Sequence, residues 1–126
     1  MKDLEFLNKE ICVVNMPVKY DGKDLHYILC GALEGGIDYW GYLKQHATKP
    51  KGINWYVWCT EILLDGKHIV IGDVESDDEW SLTLENLIEG IKKNHIERPH
   101  SNKDNYDADD YDCIIQYALF DKLVFG

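Results

Sequence analysis

The chain has 126 residues, and its 13 basic and 23 acidic residues give a formal net charge of −10. Binding to nucleic-acid phosphates relies on clustered lysine and arginine, so this charge argues against direct contact with DNA or RNA. No apolar run approaches the roughly 18 residues that cross a bilayer, and the N-terminal segment lacks an uninterrupted apolar stretch. We therefore expect a single domain over residues 1–126, cytoplasmic and without a membrane anchor or leader.

Residues 10–20 contain the first predicted strand. Ile11, Val13 and Val14 are β-branched residues of the kind enriched in strands. Pro17 lacks the backbone N–H that a central strand donates, so the strand lies at a sheet edge or stops pairing there.

The first predicted helix follows Asp21. Asp21 or Asp24 can cap it, because a carboxylate accepts a hydrogen bond from a free N–H of the first turn. Gly35 or Gly36 can adopt positive φ and end it. Four apolar residues at helical spacing form its buried stripe: Leu25, Ile28, Leu29 and Ala32.

A β-hairpin is predicted over residues 53–73, after a polar and basic loop at residues 44–52. Residues 53–64 are rich in aromatic and β-branched side chains, and Asp65-Gly66 is a signal for a type I′ turn. Both faces of the first strand would be apolar, so each would have to pack against another element or a partner.

Two further helices complete the predicted fold. Ser81 or Thr83 caps the first, which ends before Pro99, and Asp107 caps the second, which resembles a docked helix rather than a solvated tail. Their apolar stripes are Leu84, Leu87, Ile88 and Ile91 in the first and Tyr111, Ile114, Ile115, Ala118 and Leu119 in the second. Residues 123–125 form a short strand or a buried tail. The predicted class is α+β, with an antiparallel sheet of about three or four strands packed with three helices.

Reactive side chains give no signature of a catalytic or metal site. The four cysteines, Cys12, Cys30, Cys59 and Cys113, lie far apart in apolar segments and predict buried, reduced thiols. The histidines show no ligand spacing, so neither metal nor cofactor is expected. His68 or His95 beside an aspartate would be the general base of an enzyme, but no motif names a reaction, and we expect a protein that is not an enzyme.

Two sequence blocks carry a family resemblance. Residues 32–40 read ALEGGIDYW and residues 112–120 read DCIIQYALF. With the helix start at residues 82–84, they resemble a family of small proteins of tailed bacteriophages and prophages. The resemblance implies a phage or prophage origin, and it carries over no activity and no catalytic residue.

Acidic runs and aromatic clusters supply the candidate binding residues. The acids concentrate at residues 73–79 and 104–112, where they are either solvated loop and helix-start residues or a surface for a basic partner. The aromatic residues are either core or an interface. The candidate residues for partner binding are Asp77, Asp78, Glu79, Asp109, Asp110, Tyr39, Trp40 and Trp58.

Two functions follow from these features. The favoured one is a phage-encoded binding protein that inhibits a host protein, such as a nucleic-acid-binding component of antiviral defence like a CRISPR effector. The alternative is an oligomeric sponge that sequesters a nucleotide signal by stacking its bases on Trp and Tyr, although Arg98 is the only arginine. Both functions leave open whether the chain forms a homodimer.

Overall fold

The structure is a computed structural model that describes residues 6–12, 17–44 and 49–126. Within these residues the chain forms four α-helices and a three-stranded antiparallel sheet, so the predicted α+β class is confirmed. The helices are α1 (Gly22–Gly31), α2 (Trp55–Leu64), α3 (Leu84–Glu97) and α4 (Ala108–Phe120). The strands are β1 (Gly41–Leu43), β2 (His68–Asp73) and β3 (Glu79–Thr83). None of the described helices is long and apolar enough to cross a membrane.

The sheet is centred on β2, which pairs antiparallel with β1 on one side and with β3 on the other. Tyr42 lies opposite Gly72, and Ile71 lies opposite Trp80. The hairpin of this fold is therefore β2–β3, and the first acidic run forms its turn.

Helix α1 begins as the sequence predicts. Asp21 and Asp24 form a reciprocal capping box, and the apolar stripe of α1 lies in the core. The chain then continues through a π-helical turn, Ala32–Gly36. Gly36 is required there for close packing rather than for positive φ, because a Cβ on it would lie 3.0 Å from the carbonyl oxygen of Ala108.

The predicted hairpin over residues 53–73 is wrong, because residues 55–64 form α2. The Asn54 side chain caps this helix by accepting a hydrogen bond from Tyr56 N, and Gly66 adopts a φ of +78° in the turn that follows. Trp58, Cys59 and Leu63 are buried. Packing of this apolar segment outweighs the weak strand preference of its aromatic and β-branched residues.

Helices α3 and α4 pack against each other, and both begin at predicted caps. Thr83 Oγ1 accepts a hydrogen bond from Asn86 N, and Asp107 forms a capping box with Asp110. Ile114 and Ile115 are fully buried, as predicted. The other members of the α4 stripe, Tyr111, Ala118 and Leu119, are half-buried against the core.

Several smaller predictions are corrected. The predicted strand falls partly on residues 13–16, outside the described residues, and residues 9–12 and 17–20 form no strand. The tail at residues 123–125 is not a strand, but Phe125 stacks on Trp40 with ring centroids 4.7 Å apart. Of the cysteines only Cys59 is fully buried; Cys30 and Cys113 are half-buried, Cys12 is exposed, and all four are free thiols.

Candidate functional site

The first acidic run forms a turn that is fixed by its own hydrogen bonds. Asp73 Oδ1 accepts a hydrogen bond from Glu75 N at 2.8 Å, and Asp73 Oδ2 accepts one from Ser76 Oγ at 3.1 Å. Asp78 N donates to Ser76 Oγ, and Asp73 N donates to the carbonyl oxygen of Asp78. The backbone of the turn is therefore set, while the side chains of Asp77 and Asp78 are exposed.

Contacts at the base of the turn attach it to the rest of the fold. Val74 N donates to the carbonyl oxygen of Trp40 at 3.0 Å, which joins the turn to the residue before β1. The ammonium of Lys44 pairs with the carboxylate of Glu79, and both side chains are partly exposed. Within residues 6–12, 17–44 and 49–126, no basic side chain pairs with Asp77 or Asp78.

The second acidic run has a structural role at the start of α4. Asp110 is buried, and its carboxylate accepts hydrogen bonds from Arg98 Nη1 at 3.0 Å, from Ser101 Oγ at 2.7 Å and from Asp107 N at 2.9 Å. Burial opposes ionisation, but these donors and the arginine charge outweigh it and lower the pKa of Asp110. Asp109 is exposed. The prediction that Asp110 belongs to a binding surface is wrong, because its carboxylate is used inside the protein.

Of the two alternatives for the aromatic residues, core or interface, the two tryptophans belong to the core. Trp40 and Trp58 are only 2% and 7% exposed, so neither indole can contribute a contact surface. Trp40 is stacked on Phe125, and Trp58 meets the ring of Trp55 edge to face. Tyr39 remains half-exposed, so it is the one member of the predicted aromatic set that a partner could contact.

A buried polar network joins the two sequence blocks that carry the phage resemblance. The carboxylate of Asp112 accepts hydrogen bonds from Trp40 Nε1 at 2.8 Å, from Tyr39 OH at 2.6 Å and from Gln116 Nε2 at 2.8 Å. Gln116 Oε1 in turn accepts hydrogen bonds from the backbone N–H groups of residues 124 and 125. Residues of both blocks therefore connect helix α4 to the residues before β1 and to the C-terminal tail.

Sequence reasoning did not single out Asp112 or Gln116. The available signal was their spacing, since two polar residues four positions apart lie on one side of a helix that is otherwise apolar there. Burial and the Asp112 carboxylate raise the pKa of Tyr39, so its phenol stays protonated and donates to that carboxylate.

The histidines considered as general bases have different surroundings. His95 Nε2 lies 2.7 Å from Tyr20 OH, which lies 2.7 Å from Tyr106 OH. Burial and the Tyr106 hydroxyl raise the pKa of Tyr20, which opposes its ionisation. His68 is exposed on β2. In the described part of the chain, no group of three or more His, Cys, Asp or Glu side chains could hold a metal ion.

Concave regions are also present on the described surface. A groove of about 700 Å³ runs beside α3 and is lined by Val18, Tyr20, Ile88, Ile91, Lys92, His95 and Ile96. A smaller pocket of about 280 Å³ is lined by Leu33, Leu43, Trp55 and Tyr56, and the ammonium of Lys49 lies 4.6 Å from the centre of the Trp55 ring.

Comparisons of the chain with protein-family models, with curated proteins and with solved structures find no match. The phage resemblance therefore remains a prediction from the two blocks. The acidic turn concentrates five acidic residues within residues 73–79, and Asp77 and Asp78 are exposed there.

Proposed function

We propose that this chain is a phage- or prophage-encoded binding protein, not an enzyme, that inhibits a host protein in the bacterial cytoplasm. Its acidic turn, residues 73–79, would occupy a basic surface of that protein. The observation that carries the proposal is the exposure of Asp77 and Asp78 on a turn whose backbone is fixed by Asp73 and Ser76.

A fixed turn lowers the cost of binding. Ordering a flexible loop on association consumes part of the interaction free energy, and a turn that is already ordered avoids that loss. The net charge of −10 adds long-range attraction toward a basic partner, which raises the association rate. A groove that binds nucleic acid is such a partner, so a nucleic-acid-binding defence effector of the CRISPR type fits the proposal.

The surface we propose differs from the predicted residue set. Asp77, Asp78 and Glu79 remain its centre, and the exposed Asp109 and half-exposed Tyr39 are secondary candidates. Trp40, Trp58 and Asp110 are excluded by burial.

The test is a charge-neutralising variant, Asp77→Asn/Asp78→Asn/Glu79→Gln. The immobilised protein is used to capture its partner from host lysate, and the affinity of the captured partner is then measured. We expect a loss on the order of tenfold, since three exposed charge contacts together supply about 1.4 kcal/mol. Added salt should weaken the wild-type complex and have less effect on the variant.

The matched control, Asp38→Asn/Asp65→Asn/Asp104→Asn, removes the same number of exposed carboxylates elsewhere. It should bind nearly as well as the wild type. Equal losses in both variants would mean that only the net charge matters, and an unchanged affinity of the first variant would exclude the acidic turn as the binding surface. Loss of phage plaquing on defended hosts should accompany loss of binding.

The nucleotide sponge remains a second candidate because of the aromatic pocket beside Trp55 and Tyr56. Lys49 lies over Trp55 but already donates to the carbonyl oxygen of Ile53 at 2.7 Å. Burial and the nearby Glu34 carboxylate raise the pKa of Tyr56, and the same carboxylate would repel phosphate. Calorimetry with cyclic oligonucleotides should give heat that Trp55→Ala removes, and a flat wild-type trace would exclude the sponge.

A further inference from the structure

The outward face of α3 carries two exposed isoleucines among charged residues. Leu87, Gly90 and Asn94 form the buried side of this helix. On the opposite side Ile88 is 41% exposed and Ile96 is 73% exposed. Isoleucine side chains exposed along one helix face are typical of a surface that another helix covers.

Two grooves border this face, one at each half of the helix. The groove of about 700 Å³ at the C-terminal half includes Ile88 and Ile96. A second groove, of about 410 Å³, lies at the N-terminal half and includes Leu84, Glu85, Glu89 and again Ile88. Ile88 lines both grooves, which together border a helix of 14 residues, about 21 Å long; the pair of grooves is called the furrow below.

The charges along the furrow are polarised. Glu85 and Glu89 lie at the N-terminal half, and Lys92 lies at the C-terminal half beside the imidazole of His95. Lys92 pairs with Glu89 at 3.6 Å, but both side chains are about two-thirds exposed, at 67% and 69%, and can contact a second molecule. A helix with the same pattern that packs in the opposite direction would bring acidic residues against basic ones at both ends.

We infer that α3 is the interface between two copies of this chain, which pack their α3 helices antiparallel about a two-fold axis. Such an interface is self-complementary, since one surface patch serves both copies. Ile96 of one copy would pack near Leu84 and Ile88 of the other. Glu85 and Glu89 would lie near Lys92 and His95 of the other copy.

Charge also favours a second copy over other occupants. Two molecules that each carry a net charge of −10 repel each other, so they associate best where the local charge is small. Helix α3 carries three glutamates and two lysines and is close to neutral. A strongly basic partner would instead be drawn to the acidic turn, so this inference goes beyond the proposed function and does not depend on it.

The first test measures oligomeric state by sedimentation of the full chain over a range of concentrations. We expect a dimer that dissociates on dilution, and we expect Ile96→Glu to shift the midpoint of dissociation at least tenfold toward higher concentration. Ile96 is largely exposed in one copy, so its replacement should leave the fold intact, which circular dichroism would check. The control Val57→Glu makes the same kind of change on the exposed side of α2 and should leave the dimer unchanged.

The second test probes the antiparallel arrangement. Glu85→Lys/Glu89→Lys makes the face basic, and Lys92→Glu makes it acidic, so each variant alone should dimerise more weakly than the wild type. A mixture of the two should form heterodimers, because their faces are complementary.

A wild-type chain that is monomeric at every concentration, a dimer insensitive to Ile96→Glu, or a mixture that fails to recover association would each overturn the inference. Loss of a host protein's binding in Ile96→Glu, with the chain monomeric throughout, would assign the furrow to that protein instead.

Discussion

Trp40 Nε1 donates a 2.8 Å hydrogen bond to Asp112 Oδ1, and the two residues are 72 positions apart in the sequence. Tyr39 and Gln116 donate to the same carboxylate. A carboxylate that accepts three hydrogen bonds in a buried site contributes strongly to stability, because the three donors lose their partner when the carboxylate is removed.

Asp112→Asn is therefore expected to destabilise the protein by roughly 1.5–3 kcal/mol, since the amide replaces one accepting oxygen with an NH2 group that faces a donor in either orientation. Urea unfolding monitored by circular dichroism would measure the change. Asp38→Asn changes an exposed residue two positions before Trp40 and should alter the free energy of unfolding by less than about 0.5 kcal/mol. Equal stability of the two variants would contradict the role assigned to Asp112.

Neighbouring aspartates at the start of α4 should respond differently to neutralisation. Asp110→Asn removes the negative charge beside Arg98 and replaces one of two accepting oxygens with an NH2 group, so it should destabilise the protein by roughly 1.5–3 kcal/mol. Asp109→Asn loses only a favourable helix-dipole interaction of about 0.3–1 kcal/mol.

The cost of Asp110→Asn should also depend on pH. The folded-state pKa of Asp110 lies below its ordinary value of 3.8, so its carboxylate stabilises the fold fully above that value. This contribution is lost as pH falls through the lower folded-state pKa. The difference in unfolding free energy between wild type and Asp110→Asn should shrink in strong acid, and a difference that stays constant with pH would argue against the ionised form.

Alkaline pH should destabilise the protein through Tyr39. Burial and Asp112 raise the folded-state pKa of Tyr39 above the ordinary 10.0, so its stabilising contribution is complete below pH 10.0 and is lost as pH rises further. Unfolding free energies measured along an alkaline series should fall more steeply for wild type than for Tyr39→Phe. Tyr27→Phe, a change at an exposed ring of α1, serves as the control and should keep the wild-type slope.

Replacing either of two helical glycines with alanine should change the free energy of unfolding, but in opposite directions. A Cβ at Gly90 would lie 2.6 Å from the carbonyl oxygen of Ile114 and 2.8 Å from the backbone nitrogen of Ala118, so α3 and α4 would have to separate. Gly90→Ala should destabilise the protein by about 1–3 kcal/mol, because the added methyl group overpacks the contact between the two helices. Nothing lies within 4 Å of a Cβ at Gly35, so Gly35→Ala should gain up to about 1 kcal/mol of helix propensity. Thermal unfolding would measure both, and a stabilising Gly90→Ala would contradict the packing.

Local features of this fold could be predicted from the sequence, whereas its long-range ones could not. The caps at Asp21, Thr83 and Asp107 depend only on residues within one helical turn, and each is found where predicted. The segment 55–64 was misassigned because an apolar run with aromatic residues suits either a buried strand or a buried helix, and only its packing decides.

The candidate site likewise combines local features that the sequence predicts with long-range contacts that it does not. A sequence does not distinguish a surface tryptophan from a core one, so it leaves both alternatives open for Trp40 and Trp58, and only their packing shows that they belong to the core. The two acidic runs have similar composition, yet one forms an exposed turn and the other binds Arg98 and caps α4. Their difference arises from contacts between segments distant in the sequence.

The span of the Trp40–Asp112 bond also predicts an order of folding events. Helices α3 and α4 are joined by residues 98–107 and can pack early, because closing a short loop costs little chain entropy. The bond from Trp40 to Asp112 requires a far longer closure. Docking of Phe125 onto Trp40 depends on that closure and should follow it, so tryptophan fluorescence during refolding should lag behind the appearance of helical circular dichroism.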